Sequence, residues 1–449
     1  MRFILKENGH LLGVEMSGVV SILKSLWKAE EIFFSTSSSS EKSEDPISKV
    51  YDHIHANPEW QNAFEERLEK LQAARSSDAS LSKYVEQYGI AGLKRFNTSS
   101  GRPVYRIVAE TFPDHINNLY FLPQASGNVL IDAATTTETA VRDLKRAERL
   151  LSECFGQTFR TEEITDIILT HGHIDHFGGL HRLAERSNAR VHIHELDFKS
   201  LAQFEERTVL VSKDLGVFLR RAGVSGQRAF QMEEMYRFGK AFFQDFEPQC
   251  VLRDGDVLKD MRVIHTPGHC PGEVCLLYDD ILFTGDHVLP TITPHQSPER
   301  IAPFCGLGHY IGSLKRICRL EGVRLGLGGH EGEIRDVRKR GEEILQHHQQ
   351  RLLEILRIFK EPCTVAESTR RLYPMYPEGY NHLLALLEVG AHVEYLNDYG
   401  FIRIQNLEAL LQEENPAFIL KRTSKGEAFL ETPYGILGEG KSSNPFSSV

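Results

Sequence analysis

The stretch "LTHGHIDHFGGLH", residues 169–181, follows the apolar run "ITDIILT" and carries His171, His173, Asp175 and His176 close together. A continuous apolar run of this kind is typical of a strand buried on both faces. Ligands of α/β sheets bind beyond the carboxyl ends of such strands. Imidazole nitrogens and a carboxylate at that position suit zinc, iron or manganese. The stretch therefore predicts a metal site at the end of a buried strand rather than a polar surface loop.

Three further strand-like runs end in residues that ligate metals. His269 lies in "HTPGHCPGE", Asp286 in "LFTGDH" and His330 in "LGLGGHEGE". Each of these loops alone is equally compatible with a turn that carries a stray polar residue. Together with residues 171–176 they give four ligand loops in one α/β unit, which predicts that their strand ends converge on one site.

The motif HxHxDH at 171–176, combined with these three loops, resembles the metallo-β-lactamase superfamily in its dinuclear hydrolase branch. The resemblance covers roughly residues 103–345 and implies an αββα sandwich with the metals at one edge. It implies two divalent metal ions, zinc in the first place and manganese or iron as alternatives. The ligands that it implies are His171, His173 and His269 for the first ion, Asp175, His176 and His330 for the second, and Asp286 between the two.

The implied chemistry is hydrolysis without a serine or cysteine nucleophile. Two cations that share one carboxylate lower the pKa of a bridging water far below that of bulk water. The resulting hydroxide attacks an electrophilic carbonyl or phosphorus. Asp175 both ligates a metal and orients this nucleophile, which makes it the predicted catalytic residue. Asp132, which ends "NVLID", stands where the family often has a structural acid near the metals.

The chain as a whole is predicted to be α/β, an αββα metallo-β-lactamase sandwich with additions at both ends. Strand-like and helix-like runs alternate from residue 103 onward, which indicates helices packed outside a core of sheets. The predicted units are a helical N-terminal extension at 1–100 with a Ser-rich linker at 35–46, a metallo-β-lactamase-like domain at 101–345 with a helical insertion at 195–246, a helix plus winged-helix-like module at 346–405, and a mostly disordered tail at 406–449.

The C-terminal part resembles a narrower group. The segments "GDHVLPTITPH", "HHQQRLLEIL" and "LLEVGAHVEYLNDYGFI" are similar to metallo-β-lactamase-like hydrolases with a C-terminal winged helix, which include glyoxalase-II-like proteins and an animal endoribonuclease. His287 and His295 are further candidates for lining the pocket. Cys270 departs from the family pattern, in which Thr or Ser usually follows the third histidine. It is expected either to be a small turn residue or to change metal affinity and redox sensitivity.

Composition bounds the partners and the compartment. Lys plus Arg total 52 and Asp plus Glu total 62, so the net charge is −10, which does not favour bulk nucleic acid or anionic membrane as a partner. The seven cysteines are scattered and contain no CxxC, so a reducing cytoplasm is expected rather than a disulfide framework. No run approaches the roughly 18 apolar residues of a membrane-spanning helix. The sequence leaves the oligomeric state open.

These observations favour a metal-dependent hydrolase of a small thioester or ester, because the chain is acidic and the insertion at 195–246 is suited to roof a cleft. RNA phosphodiester hydrolysis is the first alternative, because winged helices suggest nucleic acid, although residues 361–405 hold three arginines against six acids. The second alternative is a mononuclear-iron persulfide dioxygenase, which the complete second ligand set disfavours. The non-enzymatic alternative is a winged-helix regulator with a structural metal, although structural zinc sites are usually rich in thiolates.

Overall fold

The structure, a computed structural model, describes residues 93–431 apart from 113–114, 241–242, 376–378 and 415, together with two short strands near the N-terminus. Strand β1 (Phe3–Leu5) pairs antiparallel with β2 (Leu11–Val14). For these two segments the prediction of a helical extension is wrong. The rest of the extension up to residue 92, with the Ser-rich linker at 35–46, and the tail from residue 432 lie outside the described residues.

The first of the two large sheets has seven strands that neighbour one another in sequence order. They are β3 (Lys94–Asn97), β4 (Pro103–Phe112), β5 (His115–Leu122), β6 (Asn128–Ile131), β7 (Ile164–Ile168), β8 (Arg190–His194) and β9 (Cys250–Leu252). Pairs from β3 to β6 are antiparallel and pairs from β6 to β9 are parallel.

Strand β3 lies inside the range predicted for the helical extension, so the sheet begins before the predicted boundary at residue 101. The sequence hides this strand because Phe96 is its one buried side chain. The strand lies at the edge of the sheet and is held by backbone pairing with β4. Its sequence therefore lacks the alternation of apolar and polar residues by which a strand is predicted.

The second sheet has six strands, again in sequence order. They are β10 (Val257–Leu258), β11 (Met261–His265), β12 (Val274–Tyr278), β13 (Ile281–Gly285), β14 (Leu325–Gly328) and β15 (Glu333–Ile334). β13 and β14 are parallel, and the other pairs are antiparallel. The two sheets share one apolar cluster, in which Val104 and Ile131 of the first sheet join Val263 and Phe283 of the second.

Helices cover the outer face of the first sheet. They are α1 (Glu138–Phe155), α2 (Ile174–Phe177) and α3 (Leu180–Arg186). α1 begins after Thr137, whose hydroxyl accepts a hydrogen bond from the Ala140 amide, and it ends at Gly156 in a left-handed conformation. Its buried residues, such as Leu151, pack with Ile167 of β7. The amphipathic face of α1 therefore fixes the helix on the sheet.

The segment 195–246 is mainly helical, with α4 (Phe198–Ala202), α5 (Phe204–Arg221) and α6 (Gly226–Phe238). α7 (Leu307–Cys318) and α8 (Val337–Ile358) cover the second sheet. Leu219 of the insertion, Ile311 of α7 and Leu282 of β13 belong to one buried cluster. Helices thus lie outside both sheets, and the predicted αββα sandwich is confirmed.

The C-terminal elements pack on the same cluster. They are α9 (Val365–Leu372), α10 (Tyr380–Asp398), β16 (Ile402–Ile404), α11 (Leu407–Gln412), β17 (Leu420–Arg422) and α12 (Ser424–Glu431). The prediction of a mostly disordered tail from residue 406 is wrong as far as residue 431, because β17 pairs with β16 and Leu420 is buried. The winged-helix resemblance stays a prediction.

Two global features bear on the earlier expectations. Among the described residues, no helix has the length and hydropathy that a bilayer-crossing segment requires. The cysteines whose side chains are described are free thiols, at positions 250, 270, 275, 305, 318 and 363.

Candidate metal centre

The ligand loops meet where strands of the two sheets end. The loop after β7 contacts the second sheet, because the Thr170 carbonyl accepts a hydrogen bond from the Val274 amide at 2.9 Å. The loop after β14 contacts the first sheet, because the Gly329 carbonyl accepts from the Asn118 amide at 2.7 Å. The backbone thus joins loops that are far apart in sequence at one edge of the sandwich, as the strand-end pattern predicts.

Three histidines form the first triplet: His171, His173 and His269. His173 Nδ1 lies 2.9 Å from His171 Nε2 and 3.0 Å from His269 Nε2. Burial, aided by the neighbouring histidines, lowers the pKa of His171 and of His173 well below the usual range. Two of the three rings are therefore neutral near pH 7 and offer nitrogen lone pairs, the form in which imidazole binds a metal.

Asp175, His176 and His330 form the second triplet. Asp175 Oδ2 lies 3.4 Å from His176 Nε2 and 3.5 Å from His330 Nε2. Burial opposes ionisation of Asp175, but the charge on His176 and hydrogen bonds from neighbouring histidines lower its pKa well below the usual range. Burial also opposes the charge on His330, yet Asp286 and Asp175 raise its pKa to about 9. His330 therefore carries a proton near pH 7, paired with these two carboxylates.

Asp286 lies between the two triplets. Its Oδ2 atom is 3.8 Å from His269 Nε2 and 3.2 Å from His330 Nε2, and its Oδ1 atom is 3.6 Å from His176 Nε2. Oδ1 is buried and has no hydrogen-bond partner among the described residues. A buried polar atom left without a partner costs about 1–3 kcal/mol. A cation is the partner that this carboxylate and the surrounding nitrogens suit, so the residues fit a metal site.

Gly329 keeps space open beside Asp286. A Cβ atom at this position would lie 2.4 Å from Asp286 Oδ1 and 2.7 Å from His176 Cε1. Any larger residue would therefore push the bridging carboxylate or the histidine out of place. A glycine is required at position 329 because the backbone there passes too close to Asp286 and His176 for any side chain.

Asp132 anchors the second triplet from behind. Its Oδ2 atom accepts a hydrogen bond from His176 Nδ1 at 2.9 Å, and its Oδ1 atom accepts from the Thr170 amide at 2.8 Å. The residue adopts φ +62°, a left-handed conformation that is uncommon for aspartate. The contact directs His176 Nε2 toward the centre, which is the orienting role that carboxylates play behind metal-binding histidines. The predicted structural acid is thus next to the ligand set.

Backbone carbonyls anchor two other histidines. His269 Nδ1 donates to the His295 carbonyl at 2.9 Å, and His330 Nδ1 donates to the Ile116 carbonyl at 2.6 Å. Because carbonyls only accept, these contacts assign the Nδ1 proton and leave Nε2 facing the centre. His295 therefore acts through its backbone. His287, the other predicted pocket residue, is buried against the Tyr310 ring.

Sequence reasoning missed two side chains on β5. His115 Nε2 and Asn117 Nδ2 each lie 3.0 Å from Asp175 Oδ2. His115, Asp175 and His330 also offer three mutually close ligand atoms. The sequence did carry one sign of these contacts, because Asn117 and Asn118 interrupt an otherwise apolar strand. Both asparagines are buried. Buried amides in a strand need specific partners, and here one partner is the predicted catalytic carboxylate.

Comparisons with known proteins give the same fold. A family model described as the metallo-beta-lactamase superfamily matches residues 113–330. The acyl-coenzyme A thioesterase MBLAC2 of Bos taurus is 32% identical over 34% of this chain and 50% of its own length. The uncharacterized protein ML0493 of Mycobacterium leprae is 30% identical over 36% of this chain and 67% of its own length. The match therefore spans half of the bovine relative.

Two solved structures extend the similarity. The metallo-beta-lactamase family protein TTHA1429 of Thermus thermophilus is 27% identical with a TM-score of 0.55, and the alignment covers 71% of this chain and 98% of that one. A beta-lactamase domain protein of Burkholderia ambifaria is 21% identical with a TM-score of 0.57, over 74% and 94% of the two chains. At this identity the second structure supports the fold alone.

Proposed function

Because the chain belongs to the metallo-β-lactamase superfamily, we propose that it is a hydrolase with two divalent cations, zinc before manganese or iron, that cleaves a small thioester or ester. The position of Asp286 carries this proposal. One of its oxygens lies within 3.8 Å of a nitrogen from each triplet. A carboxylate shared between two ligand sets is the arrangement expected of a two-metal hydrolase, and a mononuclear iron site has no need of it.

We assign the transfer of the proton from the attacking water to Asp175. When bound, the cations would acidify a water molecule and polarise the scissile carbonyl oxygen. Asp175 is 14% exposed, so it borders both the ligands and the solvent. His115 and Asn117 hold its Oδ2 atom from the β5 side. The low pKa of Asp175 keeps it ionised, and it would accept the proton of the attacking water at a carboxylate oxygen and pass it to the leaving group.

Lys240 supports a substrate with an anionic group. This half-buried residue follows α6, and its Nζ atom lies 4.4 Å from the centre of the Tyr236 ring. Burial opposes its charge, but Tyr236 and Tyr380 raise its pKa, so it stays a cation. Burial and His269 lower the pKa of His173, and the charge of Lys240 adds to this effect. Within the described part of the chain no carboxylate is within ion-pair distance of Lys240, which leaves its charge available to a ligand.

The names of the relatives favour a thioester. The bovine protein is named as an acyl-coenzyme A thioesterase, and coenzyme A carries phosphates that an ammonium group without a carboxylate partner would attract. A relative from Bacillus subtilis, 29% identical over 39% of this chain and 61% of its own length, is named as a probable metallo-hydrolase. We therefore propose acyl-coenzyme A esters as the first substrates to assay.

The test compares two histidines of the stretch 169–181. Short-chain acyl-coenzyme A esters and a neutral aryl ester are incubated with the full chain before and after treatment with a chelator, and again after zinc is restored. We expect His171→Ala to lose more than about 100-fold in kcat/KM, because even changes behind a ligand cost about 10–100-fold in metal affinity or activity. His181→Ala, an exposed histidine, is the control and should retain the wild-type rate. Equal rates in both variants would overturn the proposal.

The same preparation separates the alternatives. Cleavage of single-stranded RNA by the wild type but not by His171→Ala, without thioester hydrolysis, would favour the endoribonuclease-like function. Oxygen uptake with glutathione persulfide, together with one iron per chain, would favour the persulfide dioxygenase.

A further inference from the structure

Asp197 touches two of the ligand loops at once. It ends the short 3₁₀ turn Glu195–Asp197 that follows β8, and it is completely buried. Its Oδ2 atom accepts a hydrogen bond from the Gly172 amide at 2.7 Å, and its Oδ1 atom accepts from the Gly272 amide at 2.9 Å. Gly172 separates His171 from His173, and Gly272 follows the loop of His269.

Cys270 supplies a third donor. Its thiol lies 3.1 Å from Asp197 Oδ2, and the residue is 4% exposed. The residue directly after His269 is thus tied to the same carboxylate as the residue between His171 and His173. This contact gives the unusual cysteine of the loop a physical role as a hydrogen-bond donor.

The two glycines make the approach of Asp197 possible. A Cβ atom at Gly172 would lie 3.2 Å from Asp197 Cγ, and a Cβ atom at Gly272 would lie 2.6 Å from it. The clash at Gly272 is too close for any real side chain, so the carboxylate reaches the amide because no Cβ stands between them. The contact of the carboxylate with both loops therefore depends on Asp197, Gly172 and Gly272 together.

The loops that Asp197 joins come from different sheets. His171 and His173 follow β7 of the first sheet, whereas His269 follows β11 of the second. His173 Nδ1 lies 2.9 Å from His171 Nε2 and 3.0 Å from His269 Nε2, so the spacing of the first triplet depends on how the two loops are held together. We infer that Asp197 is a positioning residue that holds the two loops at the spacing that a cation in the first triplet requires.

This inference rests on the proposed function, because it concerns the same cation. It adds a residue that does not ligate and that no motif of the sequence marked. It also links the insertion to the centre, since α4 begins at Phe198, directly after Asp197. A displacement of the insertion would pull on the carboxylate that spaces the ligand loops.

The test measures cation affinity in the variant Asp197→Asn. An asparagine keeps one accepting oxygen but turns an NH2 group toward donors, so at least one loop loses its anchor. We expect zinc affinity of the first triplet to fall on the order of 10–100-fold, the usual cost of losing a contact behind a metal ligand. Affinities are measured on the full chain by competition with a chromophoric zinc chelator, and His173→Ala and His330→Ala assign each binding step to its triplet.

Three matched variants keep the result interpretable. Cys270→Ser retains a donor and should bind zinc like the wild type, whereas Cys270→Ala removes one donor and should weaken the first triplet severalfold. Gly272→Ala displaces the carboxylate by a different route and should resemble Asp197→Asn. If Asp197→Asn does not fold, the serine and alanine variants of Cys270 decide the question alone.

The outcomes are distinct from those of the proposed function. Thermal unfolding of the metal-free proteins reports any purely structural effect. A lower unfolding temperature with unchanged zinc affinity at both triplets would overturn the positioning role and leave the hydrolase proposal intact. A wild-type chain that binds no zinc would instead overturn the proposed function on which the inference rests.

Discussion

Among the described residues, histidines and carboxylates cluster in two places, one at the strand ends and one between α8 and α10. The second cluster consists of His348, Glu388 and His392, whose ligand atoms lie within 4.8 Å of one another. His348 Nδ1 is 3.1 Å from His392 Nε2, and His392 Nδ1 donates to the Glu388 carbonyl at 2.7 Å. Residue types and distances alone would rank both clusters as metal sites.

Counting protons separates them. The Glu388 carbonyl fixes the proton of His392 on Nδ1, so His392 Nε2 accepts and His348 Nδ1 donates. Two ring protons, one on each histidine, therefore satisfy the contacts within the helix cluster, and His348 Nε2 is left without a hydrogen-bond partner among the described residues. At the strand ends, histidines from the three other ligand loops surround Asp286, and its buried Oδ1 atom has no hydrogen-bond partner among the described residues. The comparison teaches that a carboxylate shared between several histidines, rather than short nitrogen distances, distinguishes the candidate metal centre.

The largest effect is expected at the shared carboxylate. Asp286→Asn removes the charge that both triplets share, so hydrolysis should fall by more than about 100-fold, beyond the cost of a change behind a ligand. Asp214→Asn, an exposed acid on α5, is the control. Steady-state kinetics with the best thioester of the panel measures both. If Asp286→Asn kept the wild-type rate, the shared carboxylate would no longer distinguish the strand-end cluster from the helix cluster.

A smaller loss is expected behind the second triplet. Asp132→Asn weakens the anchor of His176 Nδ1 without removing a ligand, and zinc affinity of the second triplet should fall on the order of 10–100-fold. The affinity of the first triplet should fall less, because Asp132 contacts His176 directly and reaches His171 only through Thr170. Stepwise competition with a chelator measures both affinities. Equal weakening of the two triplets would show that Asp132 acts on the fold rather than on one histidine.

The substrate side of the strand-end centre gives a third prediction. Lys240→Met keeps the length of the side chain and removes its charge, so KM for an acyl-coenzyme A ester should rise about 2–5-fold, as expected for a partly exposed ion pair. The value of kcat, and both constants for a neutral aryl ester, should change little, because the ammonium group is assigned to binding. An equal change for the charged and neutral substrates would remove Lys240 from recognition.

The helix cluster should affect stability and leave metal content unchanged. Burial lowers the pKa of His392 to about 3, whereas an unfolded histidine titrates near 6.5. Its neutral form therefore contributes stability above about pH 6.5 that is lost as the pH falls toward 3. His392→Leu should lower the free energy of unfolding at pH 8 by about 1–3 kcal/mol, because hydrogen-bonding partners stay buried and unpaired.

This difference in stability should shrink between pH 6.5 and acid pH, since the variant lacks the titrating ring. Urea unfolding at a series of pH values measures it, and elemental analysis measures the bound metal. Loss of a bound cation in His392→Leu would contradict the assignment of this cluster as structural.

The candidate ligands at strand ends were predictable because each follows an apolar run and the topology of parallel strands brings their carboxyl ends together. His115 and Asp197 were not, because they sit at the start of a strand and in a short turn that no motif marks, and Asn117 was marked only as a polar residue in an apolar strand. Their importance comes from long-range contacts: Asp197 meets Gly272 across 75 positions of the chain. Residues 406–431 resisted prediction for a similar reason, because their order depends on pairing with β16.

The most direct test of the central claim is the metal content of the full chain, purified without added metal. A centre built around Asp286 predicts two equivalents of zinc or manganese per chain, as in two-metal hydrolases, with a fall to one or fewer in Asp286→Asn and no change in His392→Leu. One equivalent of iron that persists in Asp286→Asn would contradict the claim of a two-metal centre, because Asp286 would then not be needed to bind a cation.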